Sequence, residues 1–129
     1  MIFVHGTERM IKMKLLEVKE LLNAEVLCGE NLLDTEVDSA FGSDLMSDVL
    51  AFVNTRVLLL TGLVNPQVVR TAEMMDISAI VFVRGKQPGE DIIELAKSKN
   101  MVLLMTKNTL YTASGKLYAG GLTGEEKEA

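Results

Sequence analysis

Three short apolar runs, each ending in a polar turn, occupy the middle of this 129-residue chain. They span residues 56–62, 79–85 and 101–106, and the two segments between them repeat their apolar residues with the period of a helix. Apolar runs of this length that alternate with helices predict βαβ crossovers and a parallel sheet covered on both faces. Because ligands of such sheets bind at the carboxyl ends of the strands, the three turns are where a site is expected.

Four further elements are predicted ahead of these runs from apolar spacing and capping residues. They are a helix over 13–22 that stops at Asn23, a strand over 25–29, a strand over 36–41, and a helix that Ser43 or Asp44 caps and that ends near Val53. The chain is therefore expected to be α/β. Its fold would be a three-layer domain with a mixed, largely parallel sheet of about five strands, the last three of them parallel.

Most of the chain is predicted to form one domain, over residues 13–122, since this length with 48% hydrophobic residues suffices for one core. Residues 1–12 are interpreted as an N-terminal appendage, because the helical pattern begins only near Met13. The final residues, 123–129, are rich in glutamate and are predicted to be a flexible acidic tail.

The composition argues against several classes of function. A net charge of −5 disfavours a nucleic-acid partner, and no apolar run approaches the roughly 18 residues that a membrane span needs. The single Cys28 cannot form a disulfide within the chain, which favours a reducing, cytoplasmic location. Since His5 is the only histidine, we also expect no metal site and no cofactor.

The polar turns carry residues suited to binding a small anion. Glycine lets backbone N–H groups face a phosphate, helix N-termini add partial positive charge, and Arg84 and Lys107 would add full charges. The candidate ligand-binding residues are Thr61, Gly62, Asn65, Arg84, Gly85, Thr106, Lys107, Asn108 and Thr109. The alternative is that these glycines and caps only shape tight connections between strands and helices.

No catalytic signature accompanies these turns. The sequence lacks both the G-x-x-x-x-G-K-[ST] loop of nucleoside triphosphatases and the G-x-G-x-x-G loop of dinucleotide enzymes. Its serines have no histidine base other than His5. We therefore expect no enzymatic activity. The rival hypothesis is a small enzyme that uses Lys107, Arg84 and a carboxylate such as Asp44.

The helix predicted to end near Val53 has more apolar positions than one buried stripe requires. These positions are Leu45, Met46, Val49, Leu50, Phe52 and Val53. An apolar helix face left outside the core is typical of a subunit interface, and closed two-fold dimers are the commonest assembly of soluble proteins. We expect a homodimer.

Four stretches of the sequence have a familiar order of residues: 21–29, 79–85 followed by Pro88, 103–106, and the small-residue turn at 41–46. Together they resemble the DRTGG domain family, whose relatives include the N-terminal domain of bacterial HPr kinase/phosphorylase, over roughly residues 13–122. One departure lies where the motif that names the family would fall. The chain reads Leu60-Thr61-Gly62-Leu63-Val64-Asn65 there, and keeps only a Thr-Gly pair.

The resemblance implies a domain that regulates or assembles with others and does not catalyse. The expected function is a non-catalytic, self-associating regulatory or binding module that senses a small anionic metabolite or nucleotide at the carboxyl ends of the strands. The alternative is a structural adaptor subunit of a metabolic or redox enzyme complex of the hydrogenase type. Its protein partner would then be a kinase, a hydrogenase or another metabolic enzyme.

Overall fold

The structure is a computed structural model that describes residues 12–53 and 56–124, with only the backbone of Phe52. The elements in chain order are β1 (Met13–Lys14), α1 (Leu15–Leu22), β2 (Glu25–Cys28), a 3-10 turn (Glu30–Leu32), β3 (Glu36–Val37), β4 (Ser39–Gly42), α2 (Met46–Phe52), β5 (Val57–Thr61), α3 (Pro66–Met74), β6 (Ala79–Phe82), α4 (Glu90–Ser98), β7 (Val102–Met105) and α5 (Leu110–Ala119). None of these helices is long and apolar enough to cross a membrane.

Five strands form the central sheet, in the order β2-β7-β6-β5-β4. Strands β4 to β7 are parallel neighbours, and β2 is antiparallel to β7. Each pair of consecutive parallel strands is joined by one helix, which is the connection that parallel pairing requires. The predicted α/β fold is confirmed, including the mixed five-stranded sheet whose last three strands are parallel.

Helices cover both faces of the sheet. On one face α2, α3 and α4 contribute Val49, Val68 and Ile92 to a buried cluster with the strands. On the other face α1 and α5 contribute Leu15 and Leu117 to a second cluster. Every residue of β5 is buried because helices lie on both of its sides, which explains why its sequence is a continuous apolar run and does not alternate.

The helix predicted over 13–22 begins two residues late. Met13 and Lys14 instead form β1, which pairs antiparallel with β3 in a small separate sheet. The pairing places Met13 opposite Val37 and buries both side chains. Backbone hydrogen bonds to a neighbouring strand therefore replace the expected first turn of the helix. The predicted end of the helix at Asn23 is confirmed, because Asn23 has a left-handed backbone conformation.

The strand predicted over 36–41 is divided at Asp38 between the two sheets. Asp38 donates its backbone N–H to the carbonyl of Arg56 at 2.9 Å, and this bond lies outside the strand ladders. The residues before it form β3, beside β1, and the residues after it form β4, at the edge of the central sheet. The break lets one short segment reach both sheets.

The helix predicted from a Ser43 or Asp44 cap begins instead at Met46, with Leu45 as its N-terminal flanking residue. Ser43 accepts the backbone N–H of Leu45 on its Oγ atom at 2.9 Å, which makes a local turn before the helix. The carboxylate of Asp44 is bound elsewhere and does not cap α2.

The apolar face expected on α2 is mostly used inside the domain. Met46, Val49 and Val53 are buried in the cluster beneath α3 and α4. Leu45 is 58% exposed, and Leu50 is 45% exposed. The side chain of Phe52 lies outside the described residues. The surface left for self-association is therefore smaller than the sequence predicts.

The predicted appendage and tail fall largely outside the described residues, as do His5 and residues 125–129. The carbonyl of Thr123 accepts the backbone N–H of Ala40 at 3.1 Å. Because Ala40 belongs to edge strand β4, this bond joins the backbone of Thr123 to the edge of the central sheet.

Candidate functional site at the carboxyl edge of the sheet

The parallel strands β4 to β7 all end at the same edge of the sheet, so the turns that follow β5, β6 and β7 lie along it. Strand β2 is antiparallel and therefore starts at this edge, where Glu25 pairs with Met105. The connection from α1 to β2 consequently joins the turns expected from the sequence. This edge is the candidate site.

At the turn after β5, the carboxylate of Asp44 is bound by two donors. Its Oδ1 atom accepts the backbone N–H of Gly62 at 2.7 Å and the hydroxyl of Thr61 at 3.1 Å. The Thr61 Oγ1 atom in turn accepts the backbone N–H of Leu63 at 3.1 Å. A carboxylate from the preceding crossover therefore already occupies the position where an external anion was expected.

The turn after β6 brings a guanidinium group to the same carboxylate. Arg84 and Gly85 both have left-handed backbone conformations, with φ values of 61° and 66°, and Lys86 donates its N–H to the carbonyl of Val83 at 3.1 Å. These are the features of a type I′ turn. The turn carries the Nη2 atom of Arg84 to 3.9 Å from Oδ2 of Asp44.

Gly62 is shaped to accept this arginine. A Cβ atom at position 62 would collide with the Nη2 atom of Arg84, because the guanidinium lies directly against the glycine. The Thr-Gly pair at 61–62 therefore has a structural reason. The threonine hydroxyl and the glycine N–H bind a carboxylate, and the missing side chain leaves space for its cationic partner.

Backbone donors of the turn after β6 are also used within the protein. The N–H of Arg84 donates to the carbonyl of Asn108, and the N–H of Gly85 donates to the carbonyl of Thr106, each at 2.8 Å. These bonds join the turns after β6 and β7 into one unit. They also direct both N–H groups at protein acceptors, so the turn offers a ligand its side chains and not these two donors.

A cleft of about 240 Å³ opens beside the turn after β7. It is lined by Leu22, Asn23, Glu25, Met105, Thr106, Lys107, Asn108 and Lys116. This set contains two lysines and one glutamate, so its net charge is positive and favours an anion. The ammonium of Lys116 lies 3.3 Å from Oδ1 of Asn108 and donates to it, which places that charge at the wall of the cleft.

The floor of the cleft is anchored to the end of α1. Thr106 is buried and donates its hydroxyl to the carbonyl of Leu22 at 2.8 Å. Asn108 donates its Nδ2 group to the same carbonyl at 3.2 Å and to the Thr106 hydroxyl at 3.0 Å. These bonds satisfy a carbonyl at the helix C-terminus, and they hold the amide of Asn108 in one orientation.

The nine predicted residues thus form two groups and not one pocket. Thr61, Gly62 and Arg84 surround Asp44, whereas Thr106, Lys107 and Asn108 line the cleft. Of the remaining three, Gly85 is exposed in its turn, Asn65 caps α3 by accepting the N–H of Gln67, and Thr109 caps α5 by accepting the N–H of Thr112.

Three polar residues of the cleft were not predicted as site residues: Asn23, Glu25 and Lys116. The first two reach this edge only because β2 runs antiparallel to its neighbour, which no local pattern reveals. Lys116 lies in α5, eight residues after Asn108, and a little over two helical turns bring its side chain back to the turn before the helix. The N-cap at Thr109 and this spacing form a signal that could have identified it.

These observations define a class: a three-layer α/β domain with a polar carboxyl edge and, by sequence, no phosphate-binding glycine loop. The chain belongs to the DRTGG domain family, whose model matches residues 17–119. A search of curated proteins finds no match.

Among solved structures, the fold is similar to the CBS and DRTGG domains of the regulatory region of Clostridium perfringens pyrophosphatase, in complex with the activator diadenosine tetraphosphate. The TM-score is 0.69 at 18% sequence identity, and the match covers 92% of this chain and 50% of that one. The match therefore spans about half the length of that chain.

Proposed function

We propose that this DRTGG domain is a non-catalytic, cytoplasmic regulatory module that binds a small phosphate-bearing ligand, of the nucleotide class, in the cleft beside the turn after β7. The observation that carries the proposal is the pair of ammonium groups, Lys107 and Lys116, on the walls of a cleft of about 240 Å³. Glu25 is the one acidic residue among the residues that line this cleft.

The chemistry of the walls favours recognition over turnover. Lys107 and Lys116 can donate to phosphate oxygens, and charge-assisted hydrogen bonds of this kind are stronger than those between neutral groups. The Nδ2 group of Asn108 already donates to the carbonyl of Leu22 and to the hydroxyl of Thr106, so it positions the wall of the cleft and does not bind the ligand. Thr106 is committed to the carbonyl of Leu22 and is not free to act as a nucleophile. Positioned cations with no activated nucleophile are what a sensor needs.

The fold neighbour supports the choice of ligand class. That regulatory region is in complex with diadenosine tetraphosphate, a dinucleotide with a chain of phosphates. A cleft lined by two lysines suits part of such a polyphosphate, which makes nucleotides the first ligands to test.

The test is isothermal titration of the purified chain with diadenosine tetraphosphate and with ATP, at low and at physiological salt. We expect binding that Lys107→Ala and Lys116→Ala each weaken several-fold or more, with larger losses at low salt because screening is reduced. Lys86→Ala is the matched control, since Lys86 is exposed in the turn after β6 and does not line the cleft. Absence of heat and of any shift in melting temperature at millimolar ligand would contradict the proposal and favour the adaptor hypothesis.

We further propose that the chain forms a homodimer through the exposed part of α2. Leu45 and Leu50 are both large and substantially exposed at this helix, which supports an interface there. Light scattering at micromolar concentration should show a species of twice the 14.1 kDa chain mass. Leu50→Glu should convert it to a monomer, whereas Met74→Glu, at an exposed methionine of α3, should not. A 14.1 kDa species alone in the unmodified chain would contradict dimerisation.

A further inference from the structure

The group formed by Thr61, Gly62 and Arg84, here called the Gly62 site, is separate from the cleft and holds a ligand that belongs to the chain itself. The Asp44 carboxylate accepts one backbone N–H at 2.7 Å and one hydroxyl at 3.1 Å on the same oxygen. Its second oxygen faces the guanidinium of Arg84 at 3.9 Å. A hydroxyl, an amide N–H and a guanidinium are the donors that bind an external oxyanion.

Asp44 holds this position without being enclosed. Its side chain is 56% exposed and that of Arg84 is 49% exposed, so water and solutes reach both partners. Asp44 also lies in the short connection between β4 and α2 and belongs to neither element. Moving it away would disturb residues 43–45 and leave the buried anchor of α2, at Met46 and Val49, in place.

We infer that Asp44 is a built-in competitor for the Gly62 site, and that a phosphate dianion enters the site by displacing it and releasing residues 43–45. A tethered carboxylate competes at an effective concentration of millimolar or more, so a free monocarboxylate at similar concentration gains nothing over it. A phosphate dianion brings a second charge to Arg84 and more oxygens to the same donors. The site therefore selects a phosphate group, and its occupation is coupled to the conformation of the connection before α2.

This inference does not depend on the cleft. The Gly62 site shares no residue with the cleft walls, so loss of nucleotide binding by Lys107→Ala would leave it unaffected. The two proposals therefore fail separately.

The test follows the backbone amide of Gly62 by NMR while inorganic phosphate is added, with acetate as the comparison anion. In the unmodified chain we expect weak phosphate binding at Gly62, no response to acetate, and faster hydrogen exchange at Leu45 as phosphate fills the site. Asp44→Ala should bind phosphate at least about tenfold more tightly, because the tethered competitor is gone. It should also show faster exchange of the Gly62 amide before any phosphate is added.

Two variants keep the test decisive. Asp48→Ala removes the same charge from α2 without touching Gly62, so it should bind phosphate like the unmodified chain. Asp44→Asn keeps an oxygen acceptor for Thr61 and Gly62 and loses only the charge, so it preserves the turn even if the alanine variant does not fold, and it should also bind phosphate more tightly. Equal phosphate affinity in Asp44→Asn and Asp48→Ala, or a Gly62 amide that phosphate does not shift in either, would overturn the inference.

Discussion

The backbone N–H of Gly62 donates to the carboxylate of Asp44 at 2.7 Å, across eighteen residues of chain. The bond joins the connection between β4 and α2 to the connection between β5 and α3 at the carboxyl edge of the sheet. It also explains why α2 begins only at Met46, since the carboxylate that could have capped an earlier start is bound elsewhere.

The variant Gly62→Ala tests the packing of Arg84 at this point. Gly62 is not among the described residues with positive φ, so alanine is compatible with the backbone, and the collision is with the end of a flexible side chain. We expect the guanidinium to move away and the cost in unfolding free energy to stay below about 1 kcal/mol, since the pair with Asp44 is half exposed. Urea unfolding measures the cost. In an Arg84→Ala background the same change should cost nothing, and an undiminished cost there would show that the clash is with the backbone.

Gly29→Ala is predicted to destabilise the domain strongly. Gly29 has a φ of +85°, and an added Cβ would lie 2.9 Å from the carbonyl oxygen of Met101 and from the Cα of Val102. Neither backbone atom can move without disturbing β7. The strained conformation alone costs on the order of 1–3 kcal/mol, and the clash adds to it, so a lower urea midpoint is expected.

Gly115→Ala is the matched control for that change and should act in the opposite direction. Gly115 lies within α5, and a Cβ atom there would meet nothing within 4 Å. Replacing a helical glycine by alanine stabilises by about 0.5–1 kcal/mol through backbone entropy. A thermal melt that shows loss of stability in Gly115→Ala would indicate that this face of α5 is already covered in solution.

The shared acceptor at the end of α1 should make two substitutions non-additive. Thr106 and Asn108 both donate to the carbonyl of Leu22, and Asn108 also donates to Thr106. Thr106→Val keeps the volume and removes the hydroxyl, so it should cost about 1–2 kcal/mol, and Asn108→Ala should cost somewhat less because it is half-buried. A double-mutant cycle measures the coupling. Simple additivity would show that the two donors act independently.

The pH dependence of stability should carry a contribution from Cys28. Desolvation by burial raises the pKa of this thiol, outweighing a backbone hydrogen bond from Leu103 and the charge of Lys97. The folded state therefore keeps the proton at pH values where the unfolded chain, with a thiol pKa of about 8.5, has lost it. The contribution of Cys28 to stability is therefore fully present below about pH 8.5, and it is lost as the pH rises from there through the higher pKa of the folded state.

The measurement for Cys28 compares urea unfolding of the unmodified chain and of Cys28→Ala between neutral and alkaline pH. The unmodified chain should lose stability more steeply above about pH 8.5 than the alanine variant. Parallel profiles for the two proteins would contradict the prediction. Alkylation of the thiol should also be slow in the folded chain, because the thiolate is the reactive form.

Local sequence was sufficient for the parallel half of the fold. Asn65 followed by Pro66 predicts the start of α3, and the structure shows the asparagine cap that the pair requires. The apolar runs of β5, β6 and β7 were equally recognisable, because burial on both faces removes any alternation. Asn23 was predicted as a helix stop and has the left-handed backbone that such a stop uses.

The features that local sequence did not predict depend on contacts between residues distant in the chain. Met13 has the spacing of a helical residue, but it pairs with Val37 of β3 and forms part of β1 instead of α1. Asp44 is a good helix cap, yet the donors on Gly62 and Thr61 bind it more favourably at the sheet edge. Thr106, Lys107 and Asn108 of the cleft were predicted, but Asn23 and Glu25 were not, because they reach it only through the antiparallel pairing of β2 with β7. In each case a contact distant in sequence overrode a sound local preference.

The pairing of β2 with β7 has a consequence for how the chain is made. Within the described residues β2 has β7 as its only partner in the central sheet, and α1 packs on α5. Both α1 and β2 therefore contact elements from the last quarter of the chain. During synthesis they must wait until residues beyond 102 have left the ribosome. Contacts this distant in sequence slow folding. Strands β4 to β6 can assemble earlier, which makes them the expected folding nucleus and leaves the cleft, built from both chain ends, as the last part of the domain to form.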